Sequence, residues 1–483
     1  MKDMQSLPEL SQMSHVQKDE LILSLWELVV SLKARVQIFE DRLALNSTNS
    51  SKPPSSDGLS KPAPKSLRQS GQRPTGGQRG HSGSALRQSE HVDHVVLHHS
   101  APECTHCHAA LVDHEVADQR QVFELPVLRA QVTEHRLMRS TCSCGAVHLG
   151  QFPTGINAPA QYGPRARAFA AYLNQHHLVP LQRTTQVMRD AFGLDMSQAS
   201  VQAFGQQAAN ALEGTVQAIG LAVQAAPIVH ADESGIRVQG KLQWLHCLVT
   251  PTLSWLSHHD KRGAQAFEAL GLLGGVRGTL VHDGLMGYKT LECTHSLCNA
   301  HHLRELVFVH ERCNERIWDG WAQEMIDVLL QAKAEVAQNN GPLPHERQQW
   351  YEQQWEALLV RGEHFNPAHH HTGAPTGKRG RQAQSKTFNL LARLRKYRQD
   401  VWRFMTDRDV PFTNNLAEQA LRMAKVKQKI SGGFRTDEGA TTFFTIRSYL
   451  ATMNKQGADL MRCLVSAFSG NPIQPNLATA LPE

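Results

Sequence analysis

Three acidic residues stand in settings where a carboxylate can hold a metal ion. Asp232 lies in HADESG, residues 230–235, in which the first predicted strand ends. Successive strand side chains point to opposite faces, so at most one of Asp232 and Glu233 can enter a given site. Asp283 ends the apolar run LVHD and is followed by Gly284, which lets a ligand approach the backbone closely. Glu418 lies in PFTNNLAEQALRMAK, residues 411–425. There Glu418, Arg422, Lys425 and Lys429 recur at i, i+4, i+7 and i+11 on one helical face, while Leu416, Ala420 and Met423 supply an apolar face. Asn415 and Glu418 also have the spacing of a capping box, in which the acid only ties down a helix start. From Arg422 to Arg435 the chain carries Arg422, Lys425, Lys427, Lys429 and Arg435 and no acid. Carboxylates beside a basic track suit phosphoryl transfer on a polyanion. Two magnesium or manganese ions, about 3.5–4 Å apart, activate the attacking oxygen and stabilise the leaving one, and such hard cations take carboxylate oxygens as ligands.

A second constellation is made of thiols. Cys104 and Cys107 form one pair, Cys142 and Cys144 another, and four thiolates suit a tetrahedral structural zinc. The single-residue spacer at Ser143 is tighter than usual, which leaves His106 or His108 open as a substitute ligand. Residues 104–108 also spell the haem-attachment pattern C-x-x-C-H, but that chemistry normally belongs outside the cytoplasm and no export signal is visible. Cys247, Cys293, Cys298, Cys313 and Cys463 have no pair spacing and are expected to be packing residues.

The elements around these residues follow from patterning. Runs over residues 228–238, 242–249 and 253–259, separated by turn residues, predict a three-stranded meander. A helix over 264–270, strands over 278–283 and 295–299, and a long helical stretch complete a mixed-sheet α/β core. Residues 303–410 look like a helical insertion. It includes a Gly/Arg-rich loop near 372–384 and, at the loop's edge, His369, His370 and His371, expected to be solvated. Ahead of the core, residues 160–226 are helical with interruptions expected at Gly193 and Gly205, and helices flanking Gly193 have the form of either a helix-turn-helix or a plain helical hairpin. Residues 91–155 alternate like short strands. Residues 46–90 are rich in Ser, Pro, Gly and Gln and strongly basic, which predicts a disordered linker or an arm that tracks phosphates. Ile22, Leu25, Val29, Leu32, Val36, Phe39 and Leu43 step by three and four, a three-heptad coiled-coil pattern that favours self-association over docking of a single amphipathic helix.

The 483 residues allow about three folded units plus linkers. With 41% hydrophobic and 19% charged residues, most of the chain belongs with proteins that bury a real core. Fifty basic residues against 44 acidic ones leave +6, which points to a polyanionic partner because the excess is clustered. No apolar run approaches the roughly 20 residues of a spanning helix. A cytoplasmic, nucleoid-associated protein without membrane contact is therefore expected, with its cysteines reduced.

At these residues the chain resembles the IS66 family of bacterial insertion-sequence transposases. The resemblance rests on NSTNSSKPPSSD (46–57), HADESG (230–235), VHDG (281–284), LCNAHHLREL (297–306) and VPFTNNLAEQALRMAKVKQKISGGFRTDEG (410–439) running on to IRSYL (446–450). It implies a ribonuclease-H-like, DDE-type enzyme. Asp232, Asp283 and Glu418 would be the catalytic, metal-binding acids, and Lys425 would sit where related enzymes often contact the DNA end. It also implies a zinc-finger-like module at the cysteines that helps to bind the transposon ends. The expected partners are double-stranded DNA, as terminal inverted repeats and target, a second copy of the chain, and accessory proteins of the same element. A DNA-binding regulator, an inactive remnant or a nuclease of the same fold are the alternatives. The expected organisation is a coiled-coil helix at 1–45, the basic linker at 46–90, a zinc-ribbon-like domain at 91–155 and a helical DNA-binding region at 156–226. The catalytic core follows at 227–302 and 411–470, split by the insertion at 303–410, with a tail at 471–483.

Overall fold

The computed structural model describes residues 13–46, 49, 86–112, 115–271, 273–313, 320–339, 341–368 and 384–478. Most of the basic segment 46–90 falls outside these residues, as do His369, His370, His371 and nearly all of the Gly/Arg-rich loop.

Helix α1, His15–Ala44, starts at a capping box in which Ser14 Oγ accepts from the Gln17 N–H at 3.3 Å and Gln17 Oε1 accepts from the Ser14 N–H at 3.0 Å. The heptad residues Ile22, Leu25, Val29, Leu32, Val36, Phe39 and Leu43 are all exposed. Residues 91–155 depart from the expected series of strands. Two short ones form, β1 (Arg139–Thr141) and β2 (Val147–Leu149), paired antiparallel, and Glu103 and Ala110 make an isolated bridge. The alternating pattern misleads here because no second layer covers it among the described residues: Val122, Val127 and Val132 are about nine-tenths exposed, and strands need a packed face to persist.

The next unit is helical: α2 (Pro164–Ala171), a π-helical turn (Tyr172–His176), α3 (Leu181–Phe192) and α4 (Gln198–Gln224). Gly193, at φ +62°, ends α3 in the left-handed conformation, as its position predicts. Gly205 does not interrupt anything. It lies inside α4, where a Cβ would come within 3.0 Å of the Gln175 side chain, so its small size serves close packing.

Strands β3 (Ile228–Val238), β4 (Lys241–Val249) and β5 (Ser254–His259) form the predicted meander. Helix α5 (Ala264–Leu270) leads to β6 (Thr279–His282) and β7 (Thr294–Leu297). The sheet order is β5-β4-β3-β6-β7, with β6 and β7 parallel to β3 and the other pairs antiparallel. The stretch expected to be an insertion is helical, and its first helix starts ahead of residue 303: α6 (Asn299–Cys313), α7 (Trp321–Asn339), α8 (His345–Phe365), α9 (Lys386–Lys396) and α10 (Arg398–Thr406). Residue 299 opens a helix rather than closing a strand. Its backbone and side chain are committed elsewhere: the Asn299 N–H donates to the Phe412 carbonyl and the side-chain amide donates to the Val401 carbonyl. The chain returns through α11 (Asn415–Ser431), α12 (Asp437–Lys455) and α13 (Leu460–Phe468).

Burial assigns the two faces of the sheet. Val229, Ala231 and Leu280 pack with residues of α4, α12 and α13. Ile236, Val238, Leu245 and Cys247 pack on the other face against Ala417, Leu421 and Ala424 of α11. Ile228 and Val281 share that second face and join the core of the insertion around Trp355 and Trp402. The first part of the tail is docked: Tyr449 donates its hydroxyl to the Ile473 carbonyl at 2.8 Å.

Candidate active site

Strand alternation places the acids. Even-numbered β3 residues face α11, so Asp232 shares a face with Ile236 while Glu233 lies on the α4 side. On β6 the odd-numbered Val281 faces the same way as Ile228, and Asp283 follows with that parity. The parallel register pairs His230 with Val281, so continuing it by two residues sets Asp232 level with Asp283. HADESG therefore lies mid-strand in β3, yet at the height where β6 ends. Glu418 sits in the first turn of α11, the helix laid across this face.

These acids feel one another. Burial pushes the Asp232 carboxyl well above its usual range, and Asp283, Glu233 and Glu418 push in the same direction. The three carboxylates do not crowd into a single-ion cage; among the described residues the His, Cys, Asp or Glu set whose ligand atoms all lie within 4.8 Å is Cys298, His301 and Glu418. Glu418 Oε1 is 3.5 Å from Arg304 Nη2 and 3.9 Å from His301 Nδ1.

Residue 418 does not close a capping box. The N-cap is Asn414, one residue earlier than that spacing implies, and its side chain makes no cap hydrogen bond. Instead Asn414, fully buried, donates its amide to the Ala231 carbonyl at 2.8 Å and accepts at Oδ1 from His230 Nδ1 at 2.9 Å. Because the amide nitrogen is committed to Ala231, the oxygen must accept, and His230 carries its proton on Nδ1. Burial lowers the His230 pKa to about 4, so the ring is neutral.

Glu233 serves the opposite face. Its carboxylate accepts from Arg262 Nη2 at 2.7 Å and from the Tyr288 hydroxyl at 2.8 Å, tying the loop after Asp283 to β3. A histidine chain holds the same loop. The Gly284 N–H donates to His282 Nδ1 at 3.0 Å, so the His282 proton is on Nε2 and donates to His295 Nδ1 at 3.2 Å. His295 then donates from Nε2 to the Leu291 carbonyl at 3.2 Å. Gly284 at φ +96° makes the turn beside Asp283 that this chain requires. Lys289 ion-pairs with Asp400 of α10 and lies 4.5 Å from the Tyr397 ring, anchoring the loop to the insertion.

Of the basic track, Arg422, Lys429 and Arg435 are exposed. Lys425 and Lys427 are half-buried, and burial lowers both their pKa values. Lys425 Nζ donates to the Gly235 carbonyl of β3, so its ammonium braces the sheet rather than standing free. The thiols Cys107, Cys142 and Cys144 are exposed and Cys104 is half-buried. Hydrogen bonds from the His106 backbone and then from Cys107 lower the Cys104 pKa, and hydrogen bonds from Cys144 lower that of Cys142, so each pair stays close within itself, but no three of the four gather within 4.8 Å.

Several neighbours of the acids carry little sequence signal. Cys298, expected to be a packing residue, is buried as such yet also adjoins Glu418 and His301. Asn414, His295 and Arg304 stand among other polar residues, and nothing local marks their distant partners. The available signals are the blocks LCNAHHLREL, which groups Cys298, His301 and Arg304, and VPFTNNLAEQ, which holds Asn414.

A mixed five-stranded sheet in this order, with acids at adjacent parallel strands and on a covering helix, fits a ribonuclease-H-like core. The family model described as Transposase IS66 family matches residues 159–442, more than half of the chain, and the chain belongs to that family. A second model, described as a family of unknown function (DUF6444), matches residues 5–87. No curated protein matches the chain.

Proposed function

We propose that this transposase binds the terminal inverted repeats of an insertion sequence and catalyses metal-dependent strand cleavage followed by strand transfer into target DNA. The observation that carries this reading is the pair Asp232 and Asp283, level on adjacent parallel strands, with Glu418 presented from α11 over the same face. The donor set fits a hard divalent cation: burial first, and then the neighbouring carboxylates, raise the Asp232 pKa, and positive charge at the site would relieve both. Asp232 and Asp283 would hold magnesium or manganese, with Glu418 completing the set. Such ions supply activation of the attacking oxygen and neutralisation of the leaving one. The protein's own part is to orient. Asn414 fixes α11 to β3, the histidine chain and Glu233 fix the Asp283 loop, and exposed Arg422, Lys429 and Arg435 grip phosphates, with Lys425 and Lys427 behind them. The cysteine pairs would close around zinc as an end-binding module, and the exposed heptad face of α1 would pair with a second copy of the chain. Accessory proteins of the same element complete the expected partners.

The test uses purified chain and DNA carrying the element's ends. Asp232→Asn and Glu418→Gln should abolish magnesium- or manganese-dependent cleavage while end binding in a gel shift stays largely intact. Cleavage retained by either variant would remove that acid from the mechanism. Detection of joined products separates a transposase from a nuclease of the same fold.

A further inference from the structure

We propose that Cys298, His301 and Glu418 form a second metal site, selective for a thiophilic divalent ion such as zinc or cobalt, that shares Glu418 with the acidic centre. Their sulfur, ring nitrogen and carboxylate oxygen lie within 4.8 Å of one another, the one such triple among the described residues. Cys298 immediately precedes α6, and His301 lies in its first turn, where the His301 N–H donates to the Cys298 carbonyl at 3.1 Å. Glu418 comes from the first turn of α11. Two helix starts thus converge on one point.

Two further observations point to a ligand between these groups. His301 Nδ1 is buried and has no hydrogen-bond partner, an exception to the rule that buried polar atoms are satisfied. Its separation from Glu418 Oε1, 3.9 Å, is too long for a hydrogen bond. That gap is close to the ligand-to-ligand edge, roughly 3.4 Å, of a tetrahedron with metal bonds near 2.0–2.1 Å. Cys298 Sγ already accepts a hydrogen bond from the Asn414 N–H at 3.1 Å, an arrangement that supports a thiolate once a cation is present. The sulfur decides the selectivity, because magnesium and manganese prefer oxygen whereas zinc and cobalt accept a mixed sulfur, nitrogen and oxygen set. Arg304 is the competitor: its Nη2 sits 3.5 Å from the same Glu418 oxygen, and a bound ion would displace it. Burial pushes the Cys298 pKa up, so without metal the group is a thiol. Metal binding releases that proton to solvent, frees Arg304 from Glu418 and changes no other covalent bond. Occupancy would draw Glu418 away from Asp232 and Asp283 and so inhibit the magnesium reaction; that consequence, unlike the site itself, rests on the function proposed above.

Cobalt titration of the full chain without DNA tests the site. Thiolate-to-cobalt absorption in the near ultraviolet and bound stoichiometry are compared between wild type, Cys298→Ser, His301→Gln and Glu418→Gln, with circular dichroism as the control for folding. The four cysteines of the N-terminal pairs contribute equally to all four proteins. Cys298→Ser should lose one cobalt equivalent and its share of the absorption. His301→Gln and Glu418→Gln should weaken that equivalent at least about tenfold, the loss that even a supporting residue costs a metal site. Equal stoichiometry, affinity and spectrum in wild type and the variants would overturn the proposal. Glu418 is partly exposed, so its isosteric variant keeps the test open if Cys298→Ser does not fold. A cysteine-dependent signal in a protein that cleaves no DNA end leaves the site standing and removes the function; cleavage by wild type without that signal does the reverse.

Discussion

Asn414 reaches across from the start of the Glu418 helix to the carbonyl of Ala231, the residue before Asp232, at 2.8 Å. Two acids far apart in sequence are thereby held in one frame by a buried amide rather than by each other.

Removing that amide should be costly. Asn414→Ala strands the Ala231 carbonyl and His230 Nδ1 in the core, and at roughly 1–3 kcal/mol for each of the two unpaired groups the expected loss is about 2–6 kcal/mol. Urea unfolding checks the stability. End cleavage should fall by more than the loss of folded protein explains; a variant as stable and active as wild type would mean that α11 is positioned by its apolar face alone.

The basic track divides into two kinds of residue. Replacing Arg422, Lys429 and Arg435 by Gln should reduce the slope of log affinity against log salt by about 0.9 for each phosphate no longer neutralised, with stability nearly unchanged. Lys425→Gln should act differently, lowering stability by removing the brace on the Gly235 carbonyl. Salt titrations of end binding and thermal unfolding of the same variants decide both points.

Lys289 and Asp400 form an ion pair whose side chains are only 11% and 16% exposed. Asp400→Asn leaves the ammonium without its counter-charge, at an expected cost of about 2–4 kcal/mol, and the loop bearing Asp283 should loosen with it. A Lys289→Met, Asp400→Leu double variant should regain most of the stability. A double variant no better than the single one would show that the two residues act separately.

Mild acid should destabilise the fold through its buried histidines. Burial lowers the pKa values of His176, His230, His246 and His301 to about 4 and of His302 to about 3. In the unfolded chain these rings protonate near 6.5, so unfolding takes up protons below that pH, and stability is lost as pH falls from about 6.5 towards 4. His246→Gln, which can still donate to the Lys261 carbonyl, should flatten that slope by up to one proton. Proton uptake from the pH dependence of the urea midpoint is the measurement, and an unchanged slope would remove His246 from the set.

Much of the five-stranded sheet and its acids is legible in the chain itself. Alternation over residues 228–259 and the apolar run before Asp283 define strands because a half-buried strand writes its period into consecutive residues. The same alternation assigns Asp232 and Glu233 to opposite faces without reference to any partner. Local pattern fails where its second layer is missing, as at residues 91–155, and where a residue's role lies in packing, as at Gly205. Tertiary structure alone brings Asn414 to Ala231, His282 to His295, Lys425 to Gly235 and Cys298 to Glu418. These are pairings between side chains and groups that the backbone path draws together from separate elements. A hydrogen bond or ion pair depends on separations of a few ångströms in space, and sequence order carries that information only within a helical turn or a strand.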